Sequence, residues 1–230
     1  YPFSTWGAYL DFKPHPDLLV KFAVYNNNPN VKRNKYHGLY WTFKSTEGVS
    51  WLSEWHYKVN QTPRSRGYPG NYKIGGYYLT GSWKQFEGGS QTGNYGAYFL
   101  FDQLLQRKYG PKTTQGLSVF GVVLLAPKNR NLFPLFLSGG LQYKGLIAQR
   151  DDDYLSVGVA YGQYSQELRE MQRQAAAQNS PSAYGNRPQN FETIVELSYW
   201  YRFNRWAAIT PDVQYVINPK GYGTDRKSVV

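Results

Sequence analysis

The sequence predicts an all-β fold, an antiparallel transmembrane β-barrel with about ten to twelve strands in this chain, and three observations point to it. Segments of about ten residues alternate apolar with polar side chains, which is typical of strands that have two different faces. Charged residues recur on the polar side of nearly every segment, so that side must be in contact with water. Tyrosine, tryptophan and phenylalanine, 18% of the chain, gather at the ends of the apolar stripes, where a membrane barrel places interfacial aromatic residues.

Composition excludes several other classes of protein. No apolar run approaches the ~18 residues that a membrane-spanning helix needs, and the mean hydropathy is only −0.62. Cysteine is absent, which excludes disulfides and thiolate metal sites. The three histidines lie on different segments without a metal-binding motif, so we expect no metal, no cofactor and no enzymatic activity.

Turn signals divide the chain into strands and one helix, with no linker, so we expect a single domain over residues 1–230. Only residues 166–178 have a helical pattern. Eleven candidate strands lie near residues 5–14, 17–28, 37–46, 49–60, 71–84, 94–107, 116–126, 131–145, 153–166, 190–204 and 205–218.

The number of strands raises a conflict. If the turns at residues 13–17 and 203–205 lie on the same side of the barrel, an even number of strands must separate them, whereas nine candidates do. One strand must therefore be divided or joined wrongly, and we expect the error near residues 61–93 or 130–155.

The alternation also predicts which side chains face lipid. In ITPDVQYVINP, residues 209–219, Asp212 and Gln214 are expected to face the water-filled lumen, and Pro211 and Tyr215 the outside. A large soluble barrel or sandwich is the alternative, and alternation alone does not exclude it. A soluble barrel would need its apolar face inward, but about ten long strands enclose an interior too wide for side chains to fill. The same phase places Lys21, Gln142 and Glu196 inward, and it places outward Leu18, Val20, Phe22, Leu135, Leu137, Val195 and Leu197.

Several stretches resemble the carbohydrate-selective porin family of the OprB type over about residues 5–223. The most specific are the ordered motifs AP-x-N-R-N at 126–131, GVAY at 158–161 and PD-x-QY-x-x-NP at 211–219. The others are HGLYWTF, YKIGGYYLTG, NYGAYFLFDQLL, GLSVFGVVLLAPKNRN, GLIAQRDDDYLSVGVAYGQYS and ETIVELSYWYRFNRWAAITPDVQYVINP.

The resemblance implies a sixteen-stranded bacterial outer-membrane barrel through which sugars diffuse, with this chain as its later part. We expect this chain to be incomplete at both ends. Its start already has the pattern of a strand, and its end, DRKSVV, stands where the family's final strand should begin. A complete smaller barrel is the alternative. In that case the first strand, near residues 6–12, should pair directly with the last, near residue 215.

A channel for neutral sugars needs aromatic ring faces beside groups that hydrogen-bond hydroxyls. A purely structural place in the lumen wall is the alternative for every candidate. Because adjacent strands bring opposite charges beside an aromatic residue there, the favoured set is Glu196, Trp200, Arg202 and Asp212. The other substrate-binding candidates are Gln214, Asp102, Glu54, His56, Lys58 and Lys44, and further residues of the lumen phase are Tyr9, Asp11, Lys21, Tyr40, Lys73, Tyr98, Gln142 and Lys144.

The net charge of +11 does not indicate a nucleic-acid partner, because acids nearly match bases in the lumen phase and the surplus lies in the connections. Those cations are solvated or contact lipopolysaccharide phosphates. The acidic run at 150–153 could offer oxygen ligands to Ca²⁺, but a turn with aspartates that cap backbone groups is the favoured interpretation.

Two function classes remain open. One is a passive sugar channel, as a monomer or homotrimer. The other is a barrel that serves as a membrane anchor or structural module within an outer-membrane assembly.

Overall fold

The computed structural model describes residues 5–37, 40–42, 44, 46, 48–62, 65–110, 113–179, 184–222 and 228–229. One α-helix, α1, spans Gln166–Ala177 and agrees with the predicted helix. The strands are β1 (Gly7–His15), β2 (Leu18–Asn26), β3 (Val49–Val59), β4 (Gly70–Lys84), β5 (Ser90–Arg107), β6 (Gly116–Leu125), β7 (Leu135–Lys144), β8 (Tyr154–Gln163), β9 (Phe191–Arg202), β10 (Ala208–Ile209), β11 (Asp212–Ile217) and β12 (Ser228–Val229).

The strands form one antiparallel sheet in sequence order. Each strand from β1 to β8 pairs with the next along the chain, β9 pairs with both β10 and β11, and β12 pairs with β11. Most ladders run over about ten residue pairs, as between β6 and β7. Within the described part of the chain, no ladder joins β1 to β11 or β12, so the sheet is open at both edges.

The candidate strand at residues 37–46 is wrong, and the reason is in the register. β2 pairs directly with β3 from Leu18–Tyr57 to Asn26–Val49, so no strand fits between them. Instead the carbonyl of residue 40 accepts hydrogen bonds from the Trp6 indole and the Asn26 amide. Residues 38, 39, 43 and 45 of this candidate lie outside the described residues.

This correction also resolves the strand count. Eight strands, β2 to β9, separate the turn at Pro16 from the turn after Arg202. Eight is even, so both turns lie on the same side of the sheet. The expected location of the error, near 61–93 or 130–155, was wrong, because those stretches hold the strands as an ordinary up-and-down order requires.

The sheet has an apolar face and a polar face. On the apolar face Phe22, Leu137, Val195 and Leu197 are exposed, the last by 52%. Leu18 and Leu135 are half-buried, so none of these six lies in a dry core. The register places Lys21, Gln142 and Glu196 on the opposite face, as expected.

Val20 is the exception among the side chains expected to be exposed. It is only 4% exposed. Its cross-strand partners are Phe12 on one side and Trp55 on the other. Two large rings beside a short side chain cover it, so Val20 is buried although it lies on the apolar face.

The connections differ between the two ends of the sheet. One end, here called the turn end, carries residues 16–17, 60–69, 108–115, 145–153 and 203–207. The other, the loop end, carries residues 27–48, 85–89, 126–134 and 164–190, which include the two longest connections and α1. Short turns at one end and long loops at the other are typical of outer-membrane barrels.

A cluster of buried hydrophobic residues forms a small cap at the loop end, here called the loop-end cap. Its core consists of Phe86, Tyr164 and Leu168, with Phe133 and Met171 against them. These side chains come from three connections, and Phe86 stands at the tip of the long β4–β5 hairpin. The connections are therefore joined to one another above the sheet.

Backbone and side-chain hydrogen bonds connect the same loops. Ser165 caps α1 by accepting from the Leu168 N–H, and its hydroxyl donates to the carbonyl of Lys128. The Asn190 N–H donates to the carbonyl of Gly221 at 2.9 Å. Among the described residues, no helix is both long and apolar enough to cross a membrane.

Candidate functional site

The polar face carries a row of charged groups across its first strands. The register places Asp11 opposite Lys21, and Lys21 opposite Glu54, so the signs alternate from β1 to β3. The Tyr98 hydroxyl on β5 donates to a Glu54 carboxylate oxygen at 3.0 Å. Lys21 Nζ also lies 5.8 Å from the ring centroid of Tyr9. Acid, base and aromatic ring therefore alternate along this part of the wall.

A second polar chain lies beside the first. The His56 Nε2 is 3.2 Å from the Asn71 side-chain oxygen. The Asn71 amide donates to an Asp102 carboxylate oxygen at 2.8 Å. Lys58 stands opposite Asn71 in the ladder. Asn71 of β4 thus links His56 of β3 to Asp102 of β5, while Glu54 and Lys58 lie two positions on either side of His56 on the same face of β3.

Glycines let aromatic rings lie against this face. Gly75 stands between Glu54 and Tyr98 in the ladders, and a methyl group at Gly75 would overlap the Cζ and hydroxyl oxygen of Tyr98. The ring therefore occupies the space that a side chain at position 75 would fill. Because Gly75 has no side chain, the hydroxyl reaches across β4 to Glu54.

At the other side of the sheet, Glu196, Gln214 and Asp212 form a hydrogen-bonded group. The Gln214 amide donates to Glu196 at 2.8 Å and to Asp212 at 3.3 Å. Gln214 stands directly opposite Glu196, and Asp212 opposite Ser198. The sequence placed these three residues on one face, and the structure brings them together through the amide between two carboxylates.

Arg202 and Trp200 do not join that group. An Arg202 guanidinium nitrogen is 3.6 Å from an Asp152 carboxylate oxygen. Lys144 Nζ is 3.5 Å from the other oxygen of Asp152. Trp200 packs edge-on against Tyr154, with ring centroids 5.5 Å apart. These residues form a separate cluster at the turn end, so the predicted set of Glu196, Trp200, Arg202 and Asp212 is divided between two places.

The acidic run at 150–153 forms a turn clamp. Asp153 is 3% exposed and accepts from Arg150 at 2.7 and 2.9 Å, from the Tyr199 hydroxyl at 2.7 Å and from the Arg202 backbone N–H at 3.0 Å. Arg150 in turn lies 3.8 Å from the ring centroid of Tyr201. The buried carboxylate is thus fully occupied by protein donors. This agrees with the favoured interpretation of a capped turn.

These contacts shift the pKa of both partners in the turn. Burial alone would raise the pKa of Asp153, but the hydrogen bonds from Arg150, the Arg202 backbone and Tyr199 outweigh it, so the pKa lies below its usual range. The hydrogen bond to Asp153 raises the pKa of Arg150.

Within the described ranges, no group of three or more histidine or acidic residues is arranged to hold a metal ion.

Two of the sequence assignments to the polar face are wrong. Lys44 and Tyr40 lie in the connection between β2 and β3 and not on a strand, because β2 pairs directly with β3 and leaves no place for the predicted strand at 37–46. Sequence reasoning also missed Tyr77 and Phe120, which the register places on the polar face opposite Gly96 and Gly140. The available signal was the recurrence of glycine beside aromatic residues on adjacent strands, as in GGYY at 75–78 and YGAY at 95–98.

A wide, up-and-down antiparallel sheet with one apolar face and one charged face is the fold of an outer-membrane β-barrel. The chain belongs to the carbohydrate-selective porin family, OprB, whose family model matches residues 1–230. It is an outer-membrane protein of the type that Gram-negative bacteria carry.

Two curated relatives are similar over most of the chain. Porin B of Pseudomonas aeruginosa is 26% identical over 96% of this chain and 52% of its own length. The putative porin QuiX of Acinetobacter baylyi is 25% identical over 96% of this chain and 52% of its own length. The chain therefore spans about half the length of these relatives.

Solved structures show the same fold. The structure of Pseudomonas putida OprB at high pH has a TM-score of 0.86 and 21% identity, and the match covers 100% of this chain and 57% of that chain. The low-pH structure has a TM-score of 0.62 and 21% identity, with 94% and 52% covered.

Proposed function

We propose that the protein is a passive diffusion channel for carbohydrates across the bacterial outer membrane. Membership of the carbohydrate-selective porin family supports this function. The observation that carries it is the chemistry of the lumen face, where Asp11, Lys21 and Glu54 alternate in sign and end on the hydroxyl of Tyr98. Such a wall offers donors, acceptors and a ring to a neutral hydroxylated solute without a large net field.

The open sheet supports a larger barrel. A sheet edge in lipid leaves unpaired N–H and C=O groups that cost several kcal/mol each. Among the residues that the structure describes, no ladder joins β1 to β11 or β12, and the chain spans about half the length of its curated relatives. We infer that residues 1–230 form one part of a single barrel domain that further strands close.

We propose that the candidate residues on the wall of the lumen form hydrogen bonds with sugar hydroxyls. His56 and Asp102 form one group through Asn71, with Glu54 and Lys58 on the same face of β3, and Glu196, Asp212 and Gln214 form another. Trp200 and Arg202 line the turn end of the lumen beside Asp152. Lys44 is not part of this wall, since it lies between β2 and β3.

Liposome swelling tests the channel. The purified protein in liposomes should admit monosaccharides and disaccharides faster than amino acids of similar size. Liposomes without protein, and liposomes with heat-denatured protein, are the controls. Absent permeation of sugars, or equal permeation of sugars and amino acids, contradicts the proposed selectivity.

A barrel that only anchors an assembly is the second candidate function, and it predicts no solute permeation in the same assay. No catalytic role is part of the proposal. Partners other than sugar are the lipids of the outer membrane, with loop-end cations such as Lys128 and Arg130 near lipopolysaccharide phosphates. Chemical cross-linking of the native membrane distinguishes a monomer from a homotrimer.

A further inference from the structure

Three exposed aromatic residues form a row across the apolar face near the loop end. Trp51 of β3 stands opposite Tyr78 of β4, and Tyr78 stands opposite Tyr95 of β5. All three side chains are between 45% and 55% exposed. Towards the loop end, the same face of β5 continues with Gly93 and Gln91, so the apolar stripe of this strand ends at Tyr95. In a membrane barrel such a row marks the level of the lipid headgroups.

Arg130, from the connection between β6 and β7, brings a guanidinium group to this level. Its Cζ lies 5.4 Å from the ring centroid of Tyr95. Its Nη1 donates to the side-chain oxygen of Gln91 at 2.8 Å and to that of Asn129 at 2.7 Å. The guanidinium is therefore held between the last aromatic residue of the β5 stripe and the polar side chain beyond it.

The AP-x-N-R-N motif that carries Arg130 is itself anchored. The side-chain amides of Asn131 and Asn94 exchange two hydrogen bonds, at 2.9 and 3.0 Å, and Asn94 is only 3% exposed. The Phe86 N–H donates to the carbonyl of Asn129 at 2.9 Å. The backbone on both sides of Arg130 is thus fixed, so a ligand of the guanidinium would pay little for ordering it.

The charge of Arg130 has no acidic partner. Among the residues that the structure describes, no carboxylate forms an ion pair with it, whereas its neighbour Lys128 is 3.6 Å from Glu167. The Arg130 Nε is buried and has no hydrogen-bond partner there either. A partly buried cation beside an apolar surface is costly without a counter-charge. An anion from outside the protein would supply it.

We propose that Arg130, together with Gln91 and the Tyr78 hydroxyl, binds a lipid A phosphate of lipopolysaccharide on the outer surface of the barrel. Arginine offers phosphate oxygens a planar fork of N–H donors. A methyl group at Gly93 would overlap the Tyr78 hydroxyl oxygen, so this hydroxyl lies over the strand between Gln91 and Tyr95.

The place of the cluster favours lipopolysaccharide over other anions. Long loops face the exterior in barrels of this kind, so the loop-end border of the apolar face meets the outer leaflet, where the anionic headgroups are those of lipid A. The inference makes specific the lipopolysaccharide contact proposed above for the loop-end cations. It rests on the outer-membrane location and not on sugar permeation.

Native mass spectrometry of the intact protein in detergent tests the site, with lipid A that carries its phosphates and the same lipid A after dephosphorylation as probes. Phosphorylated lipid A should bind the unmodified protein more tightly. Arg130→Gln should weaken that binding roughly five- to thirtyfold, because charge-assisted hydrogen bonds are lost, and should leave the binding of dephosphorylated lipid A unchanged.

Two further variants control for charge and shape. Lys84→Gln removes an exposed cation at the same end, but Lys84 follows Trp83, which stands opposite Gln91, and so lies on the other side of the hairpin. It should bind phosphorylated lipid A like the unmodified protein. Arg130→Lys keeps the charge without the planar fork, so it should lose less affinity than Arg130→Gln. Heat-dependent migration in electrophoresis checks that each variant is a folded barrel.

Four results would overturn the site. Equal affinity of the unmodified protein for the two forms of lipid A excludes phosphate recognition, even if Arg130→Gln does not fold. Unchanged binding by folded Arg130→Gln excludes Arg130. Equal losses for both forms mean that Arg130 acts through the shape of its loop. If phosphatidylglycerol binds as tightly and with the same dependence on Arg130, the site takes any lipid phosphate and lipopolysaccharide is the wrong occupant. Failure of sugar permeation would leave these results unchanged, so the two proposals fail separately.

Discussion

Asp153 shows how much one residue of a turn can connect. Its carboxylate receives donors from its own turn and from the end of β9, which lies 46 to 49 residues farther along the chain. Asp151 and Asp152, its neighbours in the acidic run, are exposed. The run therefore contains one structural acid and two that face water. If these donors were removed, the buried carboxylate would lose its hydrogen-bond partners, which would lower the stability of the fold.

The first prediction concerns acid stability. The pKa of Asp153 is depressed in the folded state, so its stabilisation is complete above the ordinary value of about 4 and is lost as the pH falls through the depressed pKa. Asp153→Asn should lower the free energy of unfolding at neutral pH by about 1–3 kcal/mol. Its urea midpoint should also fall less on acidification than that of the unmodified protein.

Asp151→Asn is the control, because Asp151 is exposed in the same turn. It should unfold like the unmodified protein at every pH. If acidification lowers the urea midpoint of Asp153→Asn as much as that of the unmodified protein, the Asp153 carboxylate does not contribute the proposed pH-dependent stability.

The sequence predicts on which face of the sheet a side chain lies, because the alternation along a strand decides it. It does not predict the contacts that the side chain makes there. Phase alone placed Asp212, Gln214 and Glu196 on one face, and the structure brings them into hydrogen-bond contact. It could not reveal that Arg202 turns to Asp152, because a long side chain at a strand end chooses among partners from several connections. Nor could it reveal which aromatic residue lies over which glycine, since that depends on register.

At the scale of elements, the strands were largely predictable and the long connections were not. Alternation over ten residues is decisive when both faces have a constant environment, as along β7 and β9. Residues 37–46 alternate as well, yet β2 and β3 are already paired. Only the direct pairing of β2 with β3 excludes a strand at residues 37–46. Which strands pair with each other cannot be read from the local sequence.

The second prediction concerns the helix of the loop-end cap. Ser165 is fully buried, caps α1 and donates to the carbonyl of Lys128. Ser165→Ala should cost about 1 kcal/mol of helix stability and loosen the contact between residues 126–134 and α1. Proteolysis within residues 164–190 should become faster while the sheet stays intact.

Ser90→Ala provides the comparison, because Ser90 is an exposed serine at the start of β5. Equal cleavage of Ser165→Ala and Ser90→Ala in these loops, measured at low protease concentration, would show that the cap does not depend on Ser165.

The whole molecule has two unequal ends, and this gives it a direction in the membrane. Short turns face the periplasm and long loops the exterior in barrels of this kind. The chain has no cysteine, so single cysteines report on each end without interference. Glu87 is exposed at a loop-end tip and Arg205 at a turn-end tip.

The third prediction is that a membrane-impermeant maleimide labels Glu87→Cys on intact cells. Arg205→Cys should react only after the outer membrane is permeabilised. The cysteine-free protein gives the background signal. Labelling of Arg205→Cys alone on intact cells means that the barrel has the opposite direction.

The length of the β4–β5 hairpin has a consequence for how far the protein extends beyond the membrane. β5 has 18 residues, which at about 3.3 Å per residue and a tilt of about 40° rise roughly 45 Å. The apolar band of such a barrel is only about 25 Å tall. Since the hairpin tip holds the loop-end cap through Phe86, much of the excess height stands on the side of the loop end. The wall of the barrel at this hairpin is therefore taller than the apolar core of the membrane is thick.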